Sequence, residues 1–384
     1  MNEPNHMLSE MLEQPEIIQT SFNNPKIKDL ANIFIEEDIE QIILTGSGDS
    51  YCAALYGSYL GKNWCPNINV QHYAPFEFVN YFNHKKDLKN SAIIGISVSG
   101  GTLRVIESIR YAKQYGAKTI AITDNPQGKL IKETQCNLLI QASPPESVQL
   151  SSYESEVAKQ YIGYHHDCAQ TKTYLANLAV LSVLMAYISP KSENNLSSIQ
   201  EAFSLVEKGI ENHQSFINIG NTLKDSTDNV FFVASGSNNA TSLFGSYKMF
   251  EFALNGFACD IEEYCHTNYF ITTDKSSVVF IAPDRLSLNR IMEIEPVLRD
   301  VIEAKTIILV ANELKNEAGP HSIPILSPNE VVLSPLIFTV PIEFLTYSLA
   351  KNKGLNTNIF RGGQETIKYV TGSFKTIRQS KLRY

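Results

Sequence analysis

The chain has 384 residues, enough for two domains of ordinary size, and its 43% hydrophobic and 19% charged content is that of a globular protein with a sizeable core. A formal net charge of −8, with no block of five or more Lys and Arg, argues against a nucleic-acid or anionic-membrane surface. Six scattered cysteines (Cys52, Cys65, Cys136, Cys168, Cys259, Cys265) lack metal-ligand spacing and read as reduced thiols, and the segment from Met1 to His6 lacks the basic and apolar regions of a signal peptide, which predicts a cytoplasmic protein.

In chain order, Leu8, Met11, Leu12, Ile17, Ile18 and Phe22 carry helical spacing broken at Pro15, and a turn follows at Asn23-Asn24-Pro25, so that residues 1–28 read as an arm. A strand over 41–44 runs into Gly46-Ser47-Gly48-Asp49-Ser50 and a helix with Ala53, Leu55 and Leu60. Further strands are predicted over 68–73, 92–98, 118–122 and 137–140, with helical segments between them. Strands alternating with helices imply parallel pairing through helical crossovers, a doubly wound, flavodoxin-like α/β fold whose ligands collect at the carboxyl ends of strands. Residues 143–166 are polar and ambiguous in pattern and read as an insert over the site. The longest apolar stretch is taken as Leu175 to Ile188, too short to span a bilayer and expected to be a core helix, and the polar run from Lys191 opens a linker over 191–205.

The second half echoes the first. Gly48, Leu55, Gly57, Ser58 and Tyr59 recur at Gly236, Leu243, Gly245, Ser246 and Tyr247, a constant offset of 188, and Lys118-Thr119-Ile120 returns as Lys305-Thr306-Ile307. Two tandem units are therefore expected, over 29–190 and 206–350, with a tail over 351–384.

One stretch concentrates chemistry. The apolar strand ending at Ile96 meets Ser97-Val98-Ser99-Gly100-Gly101-Thr102 just ahead of a helical pattern from Leu103, so three hydroxyls and two glycines converge at a helix start. Such a loop is either an ordinary turn with Thr102 as its cap or a nest for an anion. The second half has Ala282-Pro283-Asp284-Arg285 there instead, so only the first copy keeps the nest.

With Met7 to Pro15, Gly48-Asp49-Ser50, Ser97 to Thr102 and Gln170-Thr171-Lys172, the chain resembles the sugar isomerase (SIS) family, most closely the isomerase half of its glutamine:fructose-6-phosphate amidotransferase members. The resemblance implies tandem SIS-type domains and a C6 anion held by Ser50, Ser97, Ser99 and Thr102, with Gly48, Val98 and Gln170 as further substrate-binding candidates. It also implies a proton-shuttling Glu251 beside Lys248, a Glu263-x-x-His266 segment whose histidine opens the sugar ring from a neighbouring subunit of a homodimer, and Lys368 on a tail that enters the active site. Enediol chemistry needs a carboxylate and a separate acid–base group, a division that Glu251 and His266 fit.

The implied activity is aldose–ketose isomerisation of a hexose 6-phosphate with no metal or organic cofactor. Departures from the pattern widen it: Val98 replaces a glutamine, Gly101 a glutamate and Gln170 a serine, so a C6-sulfonate also fits. No glutaminase-like segment precedes the unit and no cysteine follows Met1, so synthase activity is not expected. Two alternatives stay open, a deaminase or deglycase of an amino sugar phosphate or a sugar–amine adduct drawing on Glu154, Glu156 or His165 of the insert, and a non-catalytic sugar-phosphate sensor.

Overall fold

Strand β3, Ser91–Ile96, is buried at every residue, which is the position of a central strand covered on both faces. In the computed structural model, which describes residues 5–82, 87–142, 169–223 and 228–384, it is one of ten strands in two parallel sheets. The predicted insert, with Glu154, Glu156 and His165, lies outside the described residues, as does Cys168; the other five cysteines are free thiols.

The first half runs α1 (His6–Leu12), α2 (Gln14–Phe22), α3 (Pro25–Glu36), β1 (Gln41–Gly46), α4 (Asp49–Trp64), β2 (Asn69–Tyr73), α5 (Pro75–Asn80), β3, α6 (Leu103–Gln114), β4 (Lys118–Thr123), α7 (Lys129–Glu133), β5 (Cys136–Leu139) and α8 (Lys172–Ile188). The second continues with α9 (Ser192–Glu211), α10 (His213–Thr222), β6 (Val230–Val233), α11 (Asn239–Glu251), β7 (Gly256–Cys259), α12 (Ile261–His266), β8 (Ser277–Ala282), α13 (Arg285–Asp300), β9 (Lys305–Ala311), β10 (Ser322–Ile325), α14 (Ser334–Asn352) and α15 (Thr366–Arg378). Local chemistry sets several starts: Asn24 accepts from the Lys26 N–H with Pro25 in the first turn of α3, and Asp260 accepts from the N–H groups of Glu262 and Glu263 in α12.

The sheets share one strand order. The first is β2-β1-β3-β4-β5 and the second, read from the same end, β7-β6-β8-β9-β10, with every pair parallel. The order reverses between β1 and β3, and again between β6 and β8; such switch points open a crevice at the strands' carboxyl ends. Positions 188 apart match in detail. Gly48 and Gly236 have φ of 60° and 62°, where a Cβ would be strained, and the hydroxyls of Ser58 and Ser246 donate to Leu55 and Leu243 carbonyls. A Cβ on Gly57 would meet Leu44, and one on Gly245 would meet Phe232, so each glycine lets its helix lie on the strand before it. One contact is inverted: Gly61 of α4 makes room for Val70 of β2, whereas Met249 of α11 fills the space over Gly256 of β7.

The chain divides into two compact units. One gathers 16–197 with 358–360 and 364–384; the other gathers 198–357 with the described residues up to 15 and 361–363. The predicted arm is thus split, α1 packing on α14 while α2 and α3 belong with the first sheet, and the end of the tail joins the first sheet's unit. The stretch 191–205, expected as a linker, is helical from Ser192: Glu193 and Asn194 lie on the exposed face of α9, and Asn195, Ile199, Ala202, Phe203 and Val206 are buried.

Leu175 to Ile188 does form a core helix, but it is not the longest apolar one. Val331–Asn352 is long and apolar enough to cross a membrane, and 94% of its most apolar 18-residue window is buried, which makes it a core helix as well. Pro335, Pro341 and Glu343 interrupt its apolar run in the sequence.

Candidate active site

The first switch point holds the hydroxyl loop. Gly46 of β1 lies opposite Ile96 of β3, so the residues after each strand, 47–50 and 97–102, leave the sheet side by side. Gly46 is required there, since a Cβ on it would lie 2.6 Å from the carbonyl oxygen of Ser50, in the first turn of α4. Ser50 and Ser97 are buried, Ser99 and Thr102 half-buried.

Within the loop the Ser97 hydroxyl donates to Thr102 Oγ1 at 3.0 Å, leaving the Thr102 proton to be offered onward, and Ser99 Oγ accepts from the Gly101 N–H at 3.3 Å. Thr102 occupies the cap position of α6 without a side-chain bond to the helix, so the ordinary capped turn is not what forms. The carbonyls are engaged elsewhere. Ser97 O accepts from Gly100 N, Val98 O from Asp124 N and Thr123 Oγ1, Ser99 O from Asn125 Nδ2 and Gly100 O from Leu130 N. A helix start approached by hydroxyls, with neighbouring carbonyls occupied, favours an anion.

The other sequence candidates on the first sheet's unit are less closely tied. Gln170 precedes α8 and accepts from the Thr173 hydroxyl, and Val98 shares in the loop through its carbonyl. Lys368 lies on α15 with its side chain 70% exposed and its ammonium 3.2 Å from Glu365. A cleft of about 460 Å3 beside Glu16, Asn23 and Gln141 shares no lining residue with the loop.

On the second unit, α11 brings Lys248 and Glu251 together, three residues apart on one helix face. The Lys248 ammonium is 2.7 Å from Glu251 Oε2, fully buried, and 4.9 Å from the Phe244 ring centre, while Glu251 keeps 26% of its side chain exposed. A buried cation needs such a partner, and the carboxylate stays reachable. His266 ends α12 with a 67% exposed side chain, 3.2 Å from Glu262 Oε1. Glu262 sits below the usual carboxylate range because Arg290 and then His266 bond to it. Glu263, one turn before Thr267, accepts through its backbone from the Thr267 hydroxyl and is otherwise exposed.

Sequence reasoning missed Thr123, Asn125 and Gly128, which hold the hydroxyl loop from behind; the turn-forming run Asp124-Asn125-Pro126-Gln127-Gly128 was the available signal. It also missed Asp260 and Asp284, whose carboxylates cap α12 and α13.

A parallel α/β sheet with a hydroxyl-lined loop at its switch point places the chain among doubly wound α/β domains. Residues 37–186 match the SIS domain family. Over 366 residues it is 26% identical to the glutamine–fructose-6-phosphate aminotransferase (isomerizing) of Thermococcus kodakarensis, a match covering 91% of this chain and 56% of that protein. The chain thus spans little more than half the length of this curated relative. Among solved structures it is similar to tagatose-6-phosphate ketose/aldose isomerase from Escherichia coli (TM-score 0.70, 17% identity, 93% of this chain and 94% of the other). It is also similar to glucosamine-6-phosphate deaminase from Thermotoga maritima (TM-score 0.60, 18% identity, 92% and 96%). At these identities the likeness is one of fold, and the fold accommodates both chemistries.

Proposed function

We propose that the protein is an aldose–ketose isomerase of a hexose carrying a C6 phosphate or sulfonate, and that the sheet of the second unit is a diverged second copy of the SIS domain. The observation that carries the reaction is the Lys248–Glu251 pair, a reachable carboxylate held by a buried ammonium 2.7 Å away. One carboxylate so held can take a proton from C2 of the aldose and return it to C1 through an enediol. The hydroxyl nest supports the substrate class: Ser50, Ser97, Ser99 and Thr102 would hold the anion, with Gly48, Val98 and Gln170 bordering it.

In this reading His266 transfers the proton that opens the ring, Glu263 flanks it, and Lys368 leaves Glu365 to stabilise the enediolate oxygen. The exposed His266 ring and the 79% exposed Phe270 that follows it suit a segment completed by a second copy, so the proposed active form is a homodimer.

The test is isotope exchange. With fructose 6-phosphate in D2O, deuterium should enter the carbon that exchanges in the enediol, and with glucosamine 6-phosphate no ammonia should appear. Ammonia release would replace the isomerase by a deaminase, and absence of exchange with any hexose phosphate would leave a sensor. Glu251→Gln should lower exchange at least about a hundredfold while phosphate binding persists, the scale at which a positioned proton-transfer group contributes. Exchange at the wild-type rate would remove Glu251 from the reaction.

A further inference from the structure

The hydroxyl loop can serve an anion only while it turns donors toward it, and the segment that enforces this lies on the next strand. We propose that residues 123–130 form a clamp that draws the loop's carbonyls away from the crevice, with Asn125 as a positioning residue for the anion; the proposal rests on reading the loop as the anion site. Strand β4 flanks β3 on the side opposite β1, so a carbonyl held by the end of β4 points away from the β1/β3 crevice.

Two carbonyls are held that way by the first three residues of the clamp: Val98 O by the Thr123 hydroxyl (3.1 Å) and the Asp124 N–H (3.0 Å), and Ser99 O by Asn125 Nδ2 (3.1 Å). Asn125 cannot present its other amide face, because its Oδ1 accepts from the Gln127 N–H at 2.9 Å. The same turn closes through Gly128 N to Asn125 O, and Leu130 N takes Gly100 O at 2.9 Å. Backbone meets backbone at its tip: a Cβ on Gly100 would lie 2.8 Å from Gly128 Cα, and one on Gly128 would lie 2.9 Å from Gly100 Cα.

Gly100 has φ of 61°, and glycine accepts either sign of φ, so the Ser99–Gly100 peptide has little intrinsic resistance to inversion. Its N–H is tied to Ser97 O and its C=O to Asn125, and the second tie is the one a single side chain controls. Without it the carbonyl dipole is released to a site that must hold a negative charge.

Binding of inorganic phosphate and of inorganic sulfate to the full chain, measured calorimetrically, separates the possibilities. Asn125→Ala should weaken phosphate binding about tenfold, the loss of one hydrogen bond made worse by a turned carbonyl, and Thr123→Val, which leaves the Asp124 N–H in place, should weaken it by less. Asn125→Asp provides the readout that a merely structural residue would not move. As a carboxylate it repels Ser99 O and the anion, whereas once protonated, near about pH 4, it can donate to Ser99 O, so sulfate affinity should recover on acidification. Ser97→Ala tests the underlying reading. If Ser97→Ala loses phosphate while Asn125→Ala, Asn125→Asp and Thr123→Val bind as wild type, the clamp is overturned and the anion site stands. If the wild-type chain binds neither phosphate nor a hexose phosphate, both fall. Should Asn125→Ala fail to fold, the Thr123→Val loss and the Asn125→Asp pH dependence decide: their absence overturns the clamp.

Discussion

The two sheets have one strand order and opposite endowments at their switch points. After β3 the chain offers hydroxyls, and Thr102 leaves the first turn of α6 without a side-chain cap. After β8 the corresponding place is filled by the protein's own carboxylate: Asp284 Oδ1 accepts from the Ser287 N–H at 2.7 Å, and nearby the Ser235 hydroxyl is spent on Asp260. The helices that follow β1 and β6 differ in the reverse sense. Where α11 has Lys248 and Glu251, the positions 188 residues earlier in α4 are Leu60 and Asn63. One unit carries the proposed anion nest, the other the proposed base. A helix start becomes a binding site when its cap is withheld, and ceases to be one when a covalent carboxylate supplies it.

The sharpest way to break this contrast is at Gly46, whose counterpart 188 residues on is Ala234. Gly46→Ala places a methyl 2.6 Å from Ser50 O and 2.7 Å from Ser50 Cβ, against backbone that cannot rotate aside. In the second unit, where the alanine is present, a 3-10 turn over Gly236–Asn238 precedes α11 and Asn238 stands in the place of Ser50. The substitution should cost about 3 kcal/mol by overpacking and should also abolish phosphate binding, read by urea unfolding and calorimetry on the same samples. An intact phosphate affinity would mean that Ser50 is not part of the nest.

A paired substitution of intermediate effect sharpens the comparison. Thr102→Ala removes a hydroxyl that does not cap α6 but accepts from the buried Ser97 hydroxyl, so it should cost up to about 1 kcal/mol of stability and weaken phosphate binding severalfold. Asp284→Ala removes a working cap and should cost about 1 kcal/mol of stability with no effect on phosphate. If both variants weakened phosphate binding, or neither did, the two helix starts would not differ in the way described.

Much of this was legible in the sequence because it is local. The parallel sheets follow from short apolar runs alternating with helical periods, and the glycines at 48 and 236 mark turns that only a residue without Cβ makes cheaply. The helical character of 192–211 was hidden because its polar positions outnumber the buried apolar ones, and α14 was hidden by two prolines and Glu343 inside a buried helix. The partners of the nest were illegible for another reason. Asn125 meets Ser99 across 26 residues, a pairing set by strand order and not by spacing. The exposed His266 and Lys368 pair with Glu262 and Glu365, neighbours on their own segments, so their catalytic roles stay with the proposal.

The smallest difference concerns a histidine that the second unit lacks. Ser58 donates to Leu55 O, so the 3.0 Å contact with His72 requires His72 Nδ1 to be the donor, whereas Ser246 makes the same backbone bond without such a neighbour. Burial, and then the charge of Lys62, lower the His72 pKa below its ordinary value. The unfolded chain therefore binds this proton more readily than the folded one. The contribution to stability is full above about pH 6.5, the ordinary histidine value, and declines as pH falls below it toward the lowered folded value. His72→Gln, which keeps a donor for Ser58, should flatten that decline in urea midpoints measured on either side of this range. Because Ser246 of the second unit keeps its backbone bond without a histidine, a decline that persists unchanged in His72→Gln would assign the acid sensitivity to some other group and remove this distinction between the units.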